Sequence, residues 1–196
     1  FVLVLGEMVL SPIGLAAVAL QQPAVRVTDE GWHAVGMQHT GSVDVLFDGA
    51  CAPAVGAPHA YVLRPGFWHG GAGIAACWWG GAQAVGTMAR EALARRADAH
   101  AQAHLGAIDV ALSASAALLR ETAVWIDAHP REDAHLPALR VRQAVDDTVE
   151  RVMRHAARAL GAAPLCRDPR FARLMADLPV FVRQSHAERD LAAAGE

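Results

Sequence analysis

A few groups of residues have types and spacings that could carry chemistry. His100 and His104 stand one helical turn apart with Asp98 close by, so their imidazoles can face one way and hold a divalent metal. Such a site needs a second pair or a clear carboxylate partner, and without one the two histidines read as solvated surface residues. Ser185 directly precedes His186, but neighbours on a helix point in different directions, so adjacency makes no nucleophile and base pair. His186, Glu188, Arg189 and Asp190 form a charged run that reads as a solvated helix face. Phe67, Trp68, Trp78 and Trp79 cluster where strand-like sequence gives way to helical sequence. They read as packing at that join, with Trp68 or Trp79 lining a ligand cleft there as the alternative. The sequence has no GxGxxG after a strand, no GxxxxGK, no HExxH and no GxSxG.

The elements that must position these residues are bounded by composition. A chain of 196 residues makes one domain or two small ones, and 54% hydrophobic against 19% charged residues supplies a full core. A net charge of -3 gives no basic field for a phosphate backbone, which argues against nucleic acid as a partner. Cys51, Cys77 and Cys166 form no close pair, so the expected compartment is a reducing cytoplasm. Residues 1–20 are the only membrane-like stretch, but Glu7, Pro12 and two glycines break it, and two strands joined by a turn fit it better. No membrane partner is expected. The run also lacks the basic start of a signal peptide, and with Phe first and no initiator Met the chain is expected to begin inside a domain.

The pattern changes near residue 64. Before it, short apolar runs at 2–5, 15–20, 25–27, 43–47 and 60–63 alternate with Gly, Pro and Asp, which predicts antiparallel strands. After it the period is helical. Leu105, Ile108, Leu112, Ser115, Leu119 and Ile126 share one face, as do Val145, Val149, Val152, Ala156 and Leu160. Segments 74–97 and 171–181 complete a set of four helices, punctuated by Pro130, Pro137, Gly161 and Pro164, with a kink or break expected at Pro179.

The order of these pieces resembles the second half of the acyl-CoA dehydrogenase superfamily. Phe47-Asp48-Gly49-Ala50-Cys51-Ala52-Pro53 is similar to the F-D-x-V-x-V-P stretch that leaves that family's middle β-domain, and Gly66-Phe67 to the G-F that opens its helical domain. Residues 31–45 resemble the preceding strand pair, including its G-M-R-x-T-x-S stretch, with Gln38 where Arg is frequent. The resemblance implies an α+β fold: residues 1–63 as a remnant of the middle antiparallel β-domain, residues 64–196 as a C-terminal antiparallel four-helix bundle, and an N-terminal helical domain missing. It implies FAD as cofactor, an acyl-CoA thioester as substrate, hydride transfer to the flavin, and assembly into homodimers or homotetramers. A flavin-dependent monooxygenase on the same scaffold and a non-catalytic homologue are the alternatives. The fragment alone is expected to be inactive.

Roles carry over residue by residue. Arg90 corresponds to the Arg of the family's A-x-x-Y-x-x-x-R run, which reaches the FAD pyrophosphate of a neighbouring subunit. A surface pair with a nearby carboxylate is its bland alternative. Gln102 lies within one position of a cofactor-holding Gln, and Arg158 and Gly161 fall in the family's Q-x-x-G-G-x-G turn, with Arg replacing Gln. The family's catalytic Glu has no counterpart in either known place: Asp177 lies one position off the first, and Gly70 and Gly71 occupy the second. His69 and His186 stand near those places and are the candidate bases.

Overall fold

The computed structural model describes residues 2–8, 11–94 and 98–195, with side chains from residue 14 onward. The chain forms two compact units, one running to His33 and including Gln38–Phe67, the other made of Ala34–Met37 and the chain from Trp68.

In the first unit, β1 (Val2–Met8) pairs antiparallel with β2 (Ser11–Val18), with Val2 opposite Val18 and Leu5 opposite Leu15. The turn expected between them falls on residues 9 and 10, outside the described residues. The other edge of β2 is met by residues 53–55, where the Ala17 amide donates to Pro53 O at 3.0 Å and the Val55 amide to Leu15 O at 2.7 Å. β3 (Val25–Val27) pairs antiparallel with β4 (Val45–Phe47). Gln22 ties the two regions, its amide donating to Cys51 O at 3.2 Å and accepting from the Cys51 amide at 3.0 Å. Residues 60–63 are not the expected strand: they form a one-turn helix, α1 (Ala60–Leu63). Both edges of β2 are already taken, and four apolar residues between Pro58 and Pro65 are too few to reveal a period.

The second unit is the antiparallel bundle, made mainly of α2 (Pro65–Leu93), α3 (Ala99–Ala128), α4 (His135–Leu160) and α6 (Pro169–Val182), with the short α5 (Ala163–Arg167) and α7 (Glu188–Gly195). α2 begins nine residues before the helical period becomes visible, because Gly66, Gly70, Gly71 and Gly73 present no side chains to mark it. It closes at Leu93, and residues 95–97 of the predicted span lie outside the described ones. The core is built from small side chains around a few large ones: Ala75, Ala82, Val85, Ala138, Val145 and Val149 are wholly buried beside Trp78, Ile108 and Phe171. α6 is not broken at Pro179. It runs on to Val182, since a proline in the last turn forfeits only one donor and leaves three residues to complete. Asp98 caps α3 by accepting from the His100 amide at 2.9 Å, and Asp168 caps α6 from the Arg170 and Phe171 amides.

α3 is long and apolar enough, by length and composition, to cross a membrane, a second such stretch that the sequence pattern did not flag. It carries Asp109, Arg120, Glu121 and Asp127, and only 17% of its most apolar window is buried.

Residues 34–37 lie against α6. The Met37 amide donates to Asp177 Oδ1 at 2.6 Å, and a Cβ built on Gly36 would stand 1.8 Å from Ala176 O, so the approach needs glycine. Gly36→Ala therefore forces backbone apart and is expected to destabilise the bundle by about 1–3 kcal/mol. A lowered urea midpoint checks this, and an unchanged midpoint refutes it.

Candidate functional site

One end of the bundle gathers the residues matched to nucleotide binding. Antiparallel packing puts the end of α2, the start of α3 and the end of α4 together: Arg90 Nη2 donates to Asp109 Oδ1 at 3.1 Å, and His104 Nδ1 lies 2.9 Å from His155 Nδ1. Gln102 is exposed two residues before His104, Arg158 is exposed three after His155, and Gly161 closes α4 with a left-handed φ of 70° and open space about it. Arg151 and Arg154 add charge on the same stretch of α4. Burial first, then His104 and the cations Arg154, Arg151 and Arg158, hold the His155 pKa below its ordinary value.

Arg90 is paired and 63% exposed, which is the surface arrangement weighed from the sequence, yet the pair uses one of five guanidinium donors. Beside it a groove of about 250 Å³ between α2 and α3 is lined by Trp79, Gln83, Thr87, Asp109 and Ser113. Trp79 borders this groove, which lies between two bundle helices and not where strand-like sequence gives way to helical sequence, and its indole N–H donates to Leu112 O at 3.0 Å. The exposed guanidiniums of Arg90 and Arg158 suit the phosphates of a flavin nucleotide by donor chemistry.

The middle of the bundle brings together two regions the sequence kept apart. Arg142, 9% exposed, donates through Nη1 to Gly71 O at 3.2 Å and through Nη2 to Gln184 O at 3.1 Å, while its guanidinium lies 4.8 Å above the Trp78 ring. One fork therefore links the helix turn that follows His69 to the turn that holds His186. Burial lowers the Arg142 pKa, and Asp190 and Asp146 oppose the shift. Asp146 is itself pushed up by burial, against the pull of Arg183 at 2.5 Å. Sequence reasoning passed over Arg142 and Asp146. Their signal is two charges four residues apart inside the apolar stripe of α4.

His69 has a buried Nε2 without a hydrogen-bond partner and lines an apolar groove of about 350 Å³ with Ala72, Gly73, Leu119, Thr122 and Ile126. His186 lies in the turn between α6 and α7, and its side chain is 67% exposed. Asp98 caps α3, His104 faces His155, and no group of three or more metal-ligating side chains occurs among the described residues.

No family model matches the sequence, and no curated protein matches it. Solved structures do. KijD3 in complex with dTDP superposes with a TM-score of 0.75 at 20% identity, over 94% of this chain and 53% of that one. A putative acyl-CoA dehydrogenase from Mycobacterium smegmatis gives 0.76 at 15% identity, over 93% and 51%. The chain has the acyl-CoA dehydrogenase fold. It spans about half the length of these structures. 3-HSA hydroxylase from Rhodococcus sp. RHA1 matches at 0.71 and 19%, over 94% and 56%, so hydroxylases also share the acyl-CoA dehydrogenase fold.

Against the acyl-CoA dehydrogenase pattern, the carboxylate nearest the expected Glu position is Asp177, whose Oδ1 accepts from the Met37 amide. Gly70 has open space where a side chain would be, and a Cβ on Gly71 would lie 3.5 Å from the Trp68 ring.

The His155 shift has a consequence for stability. The unfolded chain takes up a proton near the ordinary imidazole value of about 6.5 while the folded bundle resists it, so stability is whole above that pH and declines as pH falls below it. Urea midpoints of the bundle should drop between pH 7.5 and pH 5, and His155→Asn should shrink the drop. An equal drop in the variant removes His155 as the cause.

Proposed function

We propose that this chain is the helical part of a flavin-dependent oxidoreductase of the acyl-CoA dehydrogenase fold, acting as a monooxygenase on a small molecule. One observation carries the choice of chemistry: neither family position itself carries a carboxylate to take an α-proton from a thioester, since one holds glycines and the nearest acid to the other, Asp177, lies one position off with Oδ1 bonded to the Met37 amide. The structural relatives support the same direction, because KijD3 was also solved with FMN and a dTDP-linked amino keto sugar, and another match is a hydroxylase. They do so as relatives of the fold only.

A bound flavin supplies the redox chemistry, as FAD in the reading of the sequence or as FMN. The chain's own residues supply the rest. Arg90 and Arg158 hold phosphate charge at the exposed bundle end, with Gln102 as a neutral donor and Gly161 admitting close approach of backbone. His186 accepts or returns the substrate proton at its exposed imidazole. The exposed apolar residues of α3, Val110 and Val124 among them, support assembly of the complete protein as a homodimer or homotetramer.

α,β-Dehydrogenation of an acyl-CoA is the second reading, favoured by the unpartnered His69 Nε2 beside the alternative base position. Two reactions separate the readings in the complete protein. Oxygen consumption with externally reduced flavin and substrate is expected, whereas bleaching of bound flavin by an acyl-CoA without oxygen establishes dehydrogenation instead. His186→Ala should abolish turnover with flavin retained, and full turnover removes His186. Arg90→Ala should weaken flavin retention about tenfold to a hundredfold, as loss of a charged hydrogen bond does. Normal retention leaves Arg90 only its pair with Asp109.

A further inference from the structure

The turn that carries His186 is fixed more firmly than an exposed turn needs to be. Gln184 O accepts from the buried Arg142, and the Ser185 hydroxyl, 5% exposed, accepts from Gln143 Nε2 at 2.9 Å and from the Ala187 amide at 3.3 Å. Ala187 has a φ of 43°, a left-handed conformation that L side chains rarely adopt and that persists only where surroundings over-determine it. Behind the imidazole sits Asp190, 9% exposed. Its Oδ2 accepts from the His186 amide at 3.2 Å, and its Oδ1 lies 3.5 Å from His186 Nδ1. Arg142 stands within electrostatic reach of Asp190.

A solvated histidine on a helix face requires neither a buried carboxylate at its inner nitrogen nor a strained backbone beside it. We propose that Asp190 is the positioning residue of His186: its carboxylate draws the Nδ1–H, so that the Nε2 lone pair points outward as the proton acceptor. The separation of 3.5 Å closes to a hydrogen bond with a small rotation of the ring, as such contacts do when substrate arrives. The inference rests on the reading of His186 as the group that handles the substrate proton.

The test is the imidazole nitrogen spectrum of His186 in the complete, flavin-loaded protein, assigned by comparison with His186→Ala. The neutral ring should carry its proton on Nδ1. Asp190→Asn should move the population toward the Nε2–H form and lower kcat about tenfold to a hundredfold with KM and flavin content unchanged, and Asp190→Glu should restore part of both. Loss of a merely structural contact leaves the tautomer where it was. An Nε2–H ring in the parent protein overturns the proposal without any variant, and so does an unchanged tautomer in Asp190→Asn. Full turnover of His186→Ala counts against the base reading alone, since the tautomer is read independently of activity.

Discussion

The buried guanidinium of Arg142 is the interaction on which the helical unit turns. A cation taken out of water costs several kcal/mol unless its donors find acceptors and its charge finds opposite charge. Here the acceptors are two backbone carbonyls, Gly71 O on α2 and Gln184 O beyond α6, with Trp78 beneath and Asp146 and Asp190 near. No single helix could satisfy that set. The charge is stable only if α2, α4 and the turn after α6 are all in place, so its desolvation enforces one arrangement of the three. Removing a partner would leave a buried charge bare, which is costlier than the contact is favourable.

From that constraint the candidate site follows. The turn held by Arg142 carries His186, and Gly71 lies two residues after His69. At the other end of α4 the same helix carries Arg158 and Gly161. α4 is thus the common element: its N-terminal part fixes the histidine turn, and its C-terminal end presents the exposed cations.

Much of this was legible in sequence because it depends on period. The stripe from Val145 to Leu160 is a regular one and ends where α4 ends, although α4 begins at His135, ten residues earlier, and takes Pro137 into its first turn; α3 and α6 form about the stripes that mark them. The acyl-CoA dehydrogenase resemblance rested on the order of loose motifs, and the fold comparison agrees with it. What was not legible depends on contact between distant residues. Residues 60–63 read as a strand because four apolar residues carry no period, and only the occupied edges of β2 decide against it. The early start of α2 was hidden by glycines. Arg142 with Gln184, His104 with His155 and Asp177 with Met37 join residues 42, 51 and 140 positions apart, and no local pattern encodes such pairs.

The small side chains of the core carry a last consequence. Alanine and valine at so many central positions let the helix backbones come close, and they leave little volume that truncation could remove. At Gly81 a methyl would stand 2.5 Å from Leu178 Cδ2, the end of a side chain that must turn away to admit it, and at Gly86 one would stand 3.0 Å from Ile108. Sequence drift in this bundle is therefore uneven: Gly70, Gly73, Gly80 and Gly106 have open space for added atoms, whereas Gly81 and Gly86 can gain them only if neighbouring side chains move.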